Sequence, residues 1–545
     1  MSDALSGSRW TARLLHGSIR AVLALLALSL FAAPFAYAAH RHVMKLQVTE
    51  QFSTLPTTLT ARQQELADAI DARLPERTPP VVLAYHDIRP IGSTDEHPDP
   101  TTNPHYHYVV TPEAFDAQLT ALKAAGYTSI STDQYVEFLN GGEIPERSVM
   151  ITFDDGTHGL WTHADKILER LGMHGVAFLI TANVGEKRPY YLSWQEISRM
   201  AASGRWDFQS HTRKMHAKLP VDAAGTLASE MVHRRWLFEH NRPETLAEFE
   251  RKIRADLQGS IQDMVDHGLP RPATFAFPFS QGFRLVDGGD PEAAAIAETV
   301  IGDLFAGSFN NAPPQPLPPG ARASEAGMVG RIEVTVETTV EELLTEVAAR
   351  TPVTPAQASP AQRPDLWTTM TGAPAAPHAA GADLTLSGPG LYQELAYGLD
   401  ATADWASYRG SVTVTGLDTG GDQTSAVVTR VGSPQETTVK VGADGVRLSI
   451  AGQPDDVVLA EHPLTPSDSH TLDFAVSPKG TEFVVDGALR LWADAVGGPT
   501  SYGGFGLIAH RDTEAAPWPV FTNMTVAQGP DWPAVRSGVG SLPVG

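Results

Sequence analysis

Between residue 79 and about residue 350, short apolar runs alternate with stretches whose hydrophobic residues recur at helical spacing. Thr111 and Pro112, followed by Phe115, Leu119 and Leu122 on one face, predict one such helix, because threonine caps helices and proline favours the first turn. Alternating helices and apolar strands predict a parallel sheet or barrel. About seven such units in roughly 270 residues favour a distorted (β/α) barrel over 79–350. The predicted strands are Val81–Tyr85, Val149–Phe153, Val176–Ile180, Trp206–Gln209, Thr274–Phe279 and Met328–Val334.

The pattern changes beyond residue 382, where short alternating runs are separated by glycine and aspartate. Val439–Val441, the turn Gly442–Gly445 and Val446–Ile450 predict a hairpin, and about a dozen such runs favour an all-β sandwich over 383–527. Residues 351–382 are rich in Pro, Ala, Thr and Gln, which is typical of a linker. Residues 528–545 are predicted to form a tail.

Residues 1–38 have the layout of a secretory signal peptide. Arg9, Arg13 and Arg20 precede the apolar run 21–33, and Ala36-Tyr37-Ala38 has the small residues of a cleavage site. The run is shorter than the roughly 20 residues of a spanning helix, although an uncleaved anchor remains an alternative. We therefore expect a secreted, extracellular or envelope-associated protein without stable membrane insertion after signal removal. Residues 39–78 are predicted to form a stalk or a short helix.

Charge and cysteine content exclude several classes of function. The 545 residues carry a formal net charge of -23, which disfavours nucleic acid and anionic membrane surfaces as partners. The chain contains no cysteine, so disulfides, thiolate metal sites and cysteine nucleophiles are excluded. A metal ion would have to be held by histidine, aspartate or glutamate. The sequence leaves the oligomeric state open.

Two adjacent carboxylates, Asp154 and Asp155, follow the predicted strand Val149–Phe153 and precede Gly156. Neighbouring strand residues point to opposite faces, so both can serve one site only where the strand ends and the backbone turns. Open α/β folds and barrels place their sites at that end. The alternative is an Asp-Asp-Gly turn that closes a hairpin.

His211 and His216 are the second candidate group. Five residues apart, they would lie about 140° apart on a regular helix, so they can share a ligand only if the segment bends. Taken alone, histidines at such a spacing are more often surface or core residues than metal ligands. Together with one carboxylate they would form a three-ligand zinc site with an open position. A second carboxylate could then act as base toward a metal-activated water.

Thr152-Phe-Asp-Asp-Gly156 followed by His-Thr-x-x-x-His resembles the polysaccharide deacetylases of carbohydrate esterase family 4, which share the NodB-homology fold. The resemblance extends over the order of elements from residue 80 to about residue 350. It implies Asp154 as general base and Asp155, His211 and His216 as ligands of one divalent metal. Zinc is the expected ion, with cobalt and nickel as alternatives.

The histidine spacing and the early Tyr85-His86 resemble the branch that acts on poly-β-1,6-N-acetylglucosamine. Many relatives carry a Leu-x-His motif that supplies a general acid, but residues 300–350 contain no histidine. In the branch just named, the equivalent position is at the start of the domain, which would make His86 the acid. The alternative for His86 is a structural histidine at the end of a strand.

The third motif of the family departs from its usual form. It usually carries an arginine that orients the base, whereas here it is Phe277-Pro-Phe-Ser280, and no such arginine is evident. Pro278 and Phe279 are predicted to line the substrate groove, with apolar core as the alternative. Trp194 is a candidate sugar platform, and a buried aromatic at a helix start is the alternative. For Arg331 on the last predicted strand, the interpretation is an ion pair that closes the barrel, and no role in the reaction is assigned to it.

Two functions follow as hypotheses. The first is a secreted, metal-dependent N-deacetylase of a GlcNAc-containing polysaccharide, a hydrolase of non-peptide carbon–nitrogen bonds. The second is a glycan-binding or matrix protein whose deacetylase fold is catalytically weakened, which the missing arginine and the C-terminal sandwich favour. That sandwich weakly resembles laminin-G or concanavalin-like domains.

Overall fold

The computed structural model describes most of the chain. The described residues are 4–53, 56–71, 78–91, 104–186, 188–281, 289–311, 319–370, 378–380, 383–452 and 455–529. Nearly all of the predicted tail 528–545 and part of the predicted linker lie outside these ranges.

A parallel sheet of nine strands forms the core of the first half of the molecule. Eight of them follow the order β7-β6-β5-β4-β3-β2-β1-β8, and the ninth, Thr128–Ser129, pairs with β2. The edge strands β7 and β8 are consecutive in the chain and separated only by Arg331, so the same short stretch pairs with β6 on one side and β1 on the other. The predicted distorted (β/α) barrel is therefore confirmed. The strands are β1 Val81–Tyr85, β2 Ser148–Phe153, β3 Gly175–Leu179, β4 Trp206–Ser210, β5 Thr274–Ala276, β6 Gly307–Asn310, β7 Met328–Gly330 and β8 Ile332–Glu333.

Helices cover the outside of the barrel. Side-chain caps accept a backbone N–H at several helix starts, including the predicted cap Thr111 and also Ser193 and Thr339. The longer helices are α1 Ala4–Leu46, α2 Ala61–Asp71, α3 Pro112–Ala124, α4 Thr132–Leu139, α5 Asp165–Leu171, α6 Trp194–Ala202, α7 Leu246–Asp266, α8 Pro291–Leu304, α9 Ala321–Ala326 and α10 Val340–Ala349.

Apolar residues fill both sides of the barrel wall. One buried cluster lies between helices and strands and includes Phe115 and Phe153. Another fills the barrel interior with Met150, Phe178 and Phe309. Because the interior is packed with large side chains, the barrel is a solid core that leaves the polar chemistry to its ends.

The N-terminal segment is attached to the barrel surface. Trp161 donates its indole N–H to the Thr49 carbonyl over 2.6 Å, and the Gln51 amide donates to Asp165 over 2.6 Å. Within the part of the chain that the structure describes, no helix combines the length and apolar character that crossing a membrane requires. The signal peptide stays a prediction.

The second half of the molecule is all β. Two seven-stranded sheets run in the orders β9-β12-β21-β14-β15-β16-β17 and β10-β11-β22-β13-β18-β19-β20. Every pairing within them is antiparallel, and the predicted hairpin is β15 with β16, closed by a bond from Gly442 N–H to the Gly445 carbonyl. The predicted β-sandwich is confirmed. The strands are β9 Trp367–Thr369, β10 His378–Ala380, β11 Asp383–Thr385, β12 Tyr392–Tyr397, β13 Tyr408–Thr415, β14 Thr424–Thr429, β15 Thr437–Val441, β16 Gly445–Ile450, β17 Val457–Pro463, β18 Ser469–Ser477, β19 Gly480–Val485, β20 Leu489–Asp494, β21 Phe505–His510 and β22 Val520–Gln528.

Barrel and sandwich share a packed junction. Ala403, between β12 and β13, belongs to the same buried cluster as the barrel interior. Val353, just after α10, exchanges hydrogen bonds with Ala401 and the Trp405 indole. The described part of 351–366 thus lies against the sandwich.

Candidate metal centre

The two adjacent carboxylates lie at the carboxyl end of β2. Asp154 donates its backbone N–H to the Tyr85 carbonyl, 2.9 Å away at the end of β1. Asp155 and Gly156 then adopt φ angles of 71° and 75°. These angles lie in the left-handed region and show that the backbone turns here. The charges of both carboxylates act on the pKa of His211, where they oppose the effect of burial. The turn therefore brings both neighbouring side chains close to the His211 ring.

Asp155, His211 and His216 converge on one point. Each offers one ligand atom, and these atoms all lie within 4.8 Å of one another. Nε2 of His211 and Nε2 of His216 are 3.5 Å and 3.3 Å from Oδ1 of Asp155. The His211 Nδ1–H donates to the Ala276 carbonyl at the end of β5, over 2.8 Å. In the neutral ring this bond leaves Nε2 deprotonated and turned toward Asp155, as a metal ligand requires.

This donor set fits a divalent metal ion. Oδ1 of Asp155 is buried without a hydrogen-bond partner, and such an oxygen is destabilising unless a cation or donor meets it. Two imidazoles and a carboxylate are ligands that zinc prefers, and three protein ligands leave a position open. Burial lowers the pKa of His211 to about 4, so its ring is neutral at pH 7.

The protonation of His216 is coupled to Asp155. Burial disfavours the charged ring, but the attraction to the nearby Asp155 carboxylate outweighs it and raises the pKa of His216. Burial likewise opposes ionisation of Asp155, yet His216 and His211 hold its pKa below the ordinary value. A metal ion would displace the His216 proton, so binding should weaken as the pH falls.

Asp154 is held by an arginine that the third motif lacks. Arg331 donates from Nη1 to Oδ1 over 2.8 Å and from Nη2 to Oδ2 over 2.6 Å. Burial alone would raise the pKa of Asp154, but the Arg331 charge outweighs this effect and lowers it. The carboxylate is therefore ionised at neutral pH and fixed in orientation, as a general base must be.

Arg331 itself is 1% exposed and fully supported. Its Nε donates to Asn311 over 2.7 Å, and its guanidinium lies over the rings of Phe178 and Phe309. No arginine is evident in the third motif, but in the folded chain Arg331, between the last two strands of the barrel, makes a bidentate contact with Asp154. The sequence did contain a signal for this contact, because Arg331 is a charged residue within the otherwise uncharged segment Val329–Ile332. A charge that is buried with such a segment needs a partner of opposite charge.

His86 lies at the end of β1, beside the carboxylates. Its ring packs against Tyr108 with centroids 4.4 Å apart, and its Nδ1 is buried without a hydrogen-bond partner. It is among the groups that lower the pKa of Asp154 and Asp155. A free ring nitrogen at this place can exchange a proton with a bound substrate.

The predicted groove residues differ in their placement. Pro278 is buried, and the Phe279 ring, 40% exposed, lies 4.7 Å from the His216 ring. Phe279 and Ser280 have φ angles of 58° and 52°, a strained turn of the kind found at functional sites.

Trp194 is not brought to this group. Its ring stacks on His267 with centroids 3.8 Å apart, at the end of α7. That contact occupies one face of the indole, so the predicted sugar platform at Trp194 stays a prediction.

Comparison with known proteins identifies the region around the site. Residues 141–286 match the family model of polysaccharide deacetylases, which includes the carboxylate pair, both histidines and Phe279 but neither His86 nor Arg331. The resemblance to this family is therefore confirmed for that region.

Curated relatives carry one name. The poly-β-1,6-N-acetyl-D-glucosamine N-deacetylase of Escherichia coli K12 is 28% identical over 186 residues, which cover 32% of this chain and 28% of that protein. The protein of the same name from Staphylococcus epidermidis is 32% identical over 114 residues, covering 20% of this chain and 39% of that protein. This chain thus spans well under half the length of these relatives. A solved de-N-acetylase from Aggregatibacter actinomycetemcomitans is 19% identical, with a TM-score of 0.40 over 48% of this chain and 97% of that one.

Proposed function

We propose that this chain is a metal-dependent polysaccharide N-deacetylase that hydrolyses the acetamide groups of a GlcNAc-containing glycan. One observation carries the proposal: a three-ligand group of Asp155, His211 and His216 lies beside Asp154, a buried carboxylate that Arg331 keeps ionised. A merely structural ion pair would not need three further ligand atoms converging next to it. The match of residues 141–286 to the deacetylase family supports the same reaction.

Each residue of the site has a role that follows from its position. Asp155, His211 and His216 would hold the ion, which, when bound, supplies Lewis-acid activation of water and carbonyl. Asp154, oriented by Arg331, takes a proton from the attacking water. His86 offers its ring nitrogen on the same hollow and gives a proton to the leaving amine. The products are acetate and a sugar with a free amino group.

We propose poly-β-1,6-N-acetylglucosamine as the glycan and zinc as the ion. The names of the curated relatives and the five-residue histidine spacing support the glycan, and the donor set supports zinc. Phe279, exposed beside His216, offers an aromatic face for a pyranose ring, and the buried Pro278 precedes it in the same turn. The features of residues 1–38 support export, so that the enzyme would meet its polymer outside the cytoplasm.

Acetate release from N-acetylated glucosamine oligomers tests the proposal. The full chain with zinc should release acetate from β-1,6-linked oligomers faster than from β-1,4-linked ones. Asp154→Asn should lose at least about a hundredfold in rate, in the range expected for a general base, while still binding one metal ion. Full activity of that variant would contradict the assignment of the base.

The same experiment decides between the two hypotheses. One zinc ion per chain without acetate from any glycan would favour the glycan-binding protein with a weakened site. The buried Arg331–Asp154 pair removes the missing arginine as an argument for that alternative.

A further inference from the structure

The loop that joins the two histidine ligands is held from outside the barrel. His211 directly follows β4, Thr212 adopts a φ of 76°, and His216 lies four residues beyond Thr212, where its N–H donates to the Lys214 carbonyl over 2.8 Å. This bend brings two histidines five residues apart onto one ion, although Thr212, a non-glycine residue, is strained at that φ. Such a conformation persists only where surrounding contacts fix it.

Two sets of hydrogen bonds fix this loop. On one side, the backbone N–H groups of Thr181 and Ala182 donate to the carbonyls of Thr212 and Arg213, over 3.2 Å and 3.0 Å. On the other side, Asp256 of α7 accepts the N–H of Arg213 at Oδ2 over 2.8 Å and the N–H of Lys214 at Oδ1 over 2.9 Å. Both oxygens of one carboxylate are therefore engaged by consecutive peptide groups between the ligands.

Asp256 belongs to a polar stripe on α7. Ser260 bonds the Ser210 hydroxyl over 2.9 Å, and Asp263 accepts from the Arg213 guanidinium over 2.9 Å. The spacing of these residues, i, i+4 and i+7, puts them on one helix face. Gly259 lies between them, where a Cβ would meet Arg213 Cδ at 2.7 Å, so the helix and the ligand loop lie in close contact.

Apolar packing beside the polar stripe explains why α7 can serve as a support. Phe249, Ile253, Leu257 and Ile261 are buried in a cluster that also contains Met215, the residue directly before His216. The helix is thus anchored in the protein by apolar contacts as well as by the hydrogen bonds of the polar stripe.

We propose that Asp256 is a positioning residue for the metal site: its carboxylate holds the backbone of Arg213 and Lys214 so that His216 meets the ion together with His211 and Asp155. The inference rests on the metal site of the proposed function. Asp256 does not contact the ion, and it acts only through the ligand loop. Groups that orient metal ligands commonly change affinity by about 10- to 100-fold.

Zinc affinity of the full chain, measured by competition with a chromophoric chelator, tests this inference. Asp256→Ala should weaken zinc binding by about 10- to 100-fold. Asp256→Asn retains one acceptor oxygen and should lie between Asp256→Ala and the unmodified protein. Gln258→Ala, at an exposed position of the same helix, is the control and should bind as the unmodified protein does.

A second readout separates positioning from folding. In excess chelator, the thermal midpoint of Asp256→Ala should match that of Gln258→Ala within a few degrees, because alanine favours the helix and the apolar face is untouched. With Co²⁺ in the site, the visible absorption of Asp256→Ala should differ from that of the unmodified protein, since the geometry around His216 has changed.

The outcomes are distinct. Zinc affinity of Asp256→Ala within twofold of the unmodified protein would overturn the inference and leave the metal site standing. So would an affinity loss that only parallels a large fall in the metal-free thermal midpoint. If the unmodified chain binds no zinc, the metal site and this inference both fail. Zinc binding that depends on Asp256, without acetate release, would overturn the proposed reaction alone.

Discussion

At the scale of single residues, the site depends on a buried ion pair. Arg331 and Asp154 are 1% and 2% exposed, so neither charge is stabilised by bulk water. The bidentate bond, Thr152 and Asn311 satisfy most of the donors of the guanidinium. Pairs of this kind contribute little net stability, but removal of one partner leaves an uncompensated buried charge.

Arg331→Met should therefore destabilise the protein by about 3 to 5 kcal/mol and abolish acetate release. Adding Asp154→Asn should restore most of the stability, because both charges are then gone, but none of the activity. Urea unfolding followed by tryptophan fluorescence measures the first effect. Arg447→Met is the matched control, since Arg447 forms an exposed pair with Glu461 and should cost well under about 1 kcal/mol. Equal instability of the single and double variants would contradict this account.

Arg331→Lys should change the pH profile. Lysine keeps the charge but loses the bidentate geometry, so the pKa of Asp154, which Arg331 now lowers against the effect of burial, should rise. The acid limb of kcat/KM reports the ionisation of the free base, and it should move to higher pH. A uniform loss of rate at every pH, with the acid limb unmoved, would show that Arg331 does not set the ionisation of Asp154.

The residues of the site were only partly predictable. Asp154, Asp155, His211 and His216 occur in two short motifs, so local sequence was enough to select them. Arg331 was not, because it meets a carboxylate 177 residues away in the chain, and nothing near it in sequence names that partner. Asp256 lies on a helix that sequence marks only by its apolar periodicity.

At the scale of elements, α6 shows how one local signal becomes a tertiary contact. Its capping box places Glu196 on the Ser193 N–H, but the carboxylate also accepts from the Arg188 guanidinium and the Thr49 N–H. His158 lies 3.2 Å away. Glu196 thus ties the start of the helix to the N-terminal segment, which the capping motif alone did not predict.

The acid stability of the protein should depend on Glu196. Burial opposes its ionisation, yet the hydrogen bonds from His158, Arg188 and the backbone of Ser193 and Thr49 lower its pKa from 4.5 to about 2. A carboxyl with a depressed pKa stabilises the fold fully above its unfolded pKa, and this contribution, on the order of 3 kcal/mol, is lost as the pH falls toward about 2.

Glu196→Gln should therefore be less stable than the unmodified protein at pH 7 and should lose less stability between pH 5 and pH 2. Urea unfolding at a series of pH values measures both effects. Glu250→Gln is the control, because Glu250 lies on the surface of α7, where it pairs with Arg254. A parallel pH dependence for Glu196→Gln and the unmodified protein would show that another carboxylate controls acid unfolding.

The individual strands and helices were predicted better than the closure of the barrel. Caps and apolar runs are local, so the strands β1 to β5 and helices such as α3, α6 and α10 appear in the sequence, whereas the short strand β6 was not predicted. β7 and β8 are short, and their pairing to opposite edges of one sheet is a property of the closed barrel. The predicted single strand Met328–Val334 is interrupted at Arg331, where the chain passes from one edge to the other.

At the scale of the whole molecule, the sandwich closes one part of the barrel. Ala403 is buried among barrel residues, and the Asp404 carboxylate accepts the backbone N–H groups of Ala321 and Arg322 at the start of α9, over 3.1 Å and 2.9 Å. Arg322 is 3% exposed and donates to the carbonyls of Val431 and Gly432 in the sandwich. The composition of 351–382 predicted a linker, but composition carries no information on how two domains pack.

This junction should make the two halves unfold together. Arg322→Ala removes a buried guanidinium and leaves two sandwich carbonyls without that donor, so we expect a loss of about 2 to 4 kcal/mol and, in scanning calorimetry, the separation of one transition into two. Arg363→Ala is the control, because Arg363 pairs with Asp365, two residues away on the surface, and it should leave the single transition in place. Two transitions already present in the unmodified protein would mean that barrel and sandwich are independent. A single transition is expected because the cluster around Ala403 lines the barrel interior, so unfolding of the sandwich would expose apolar surface of the barrel as well.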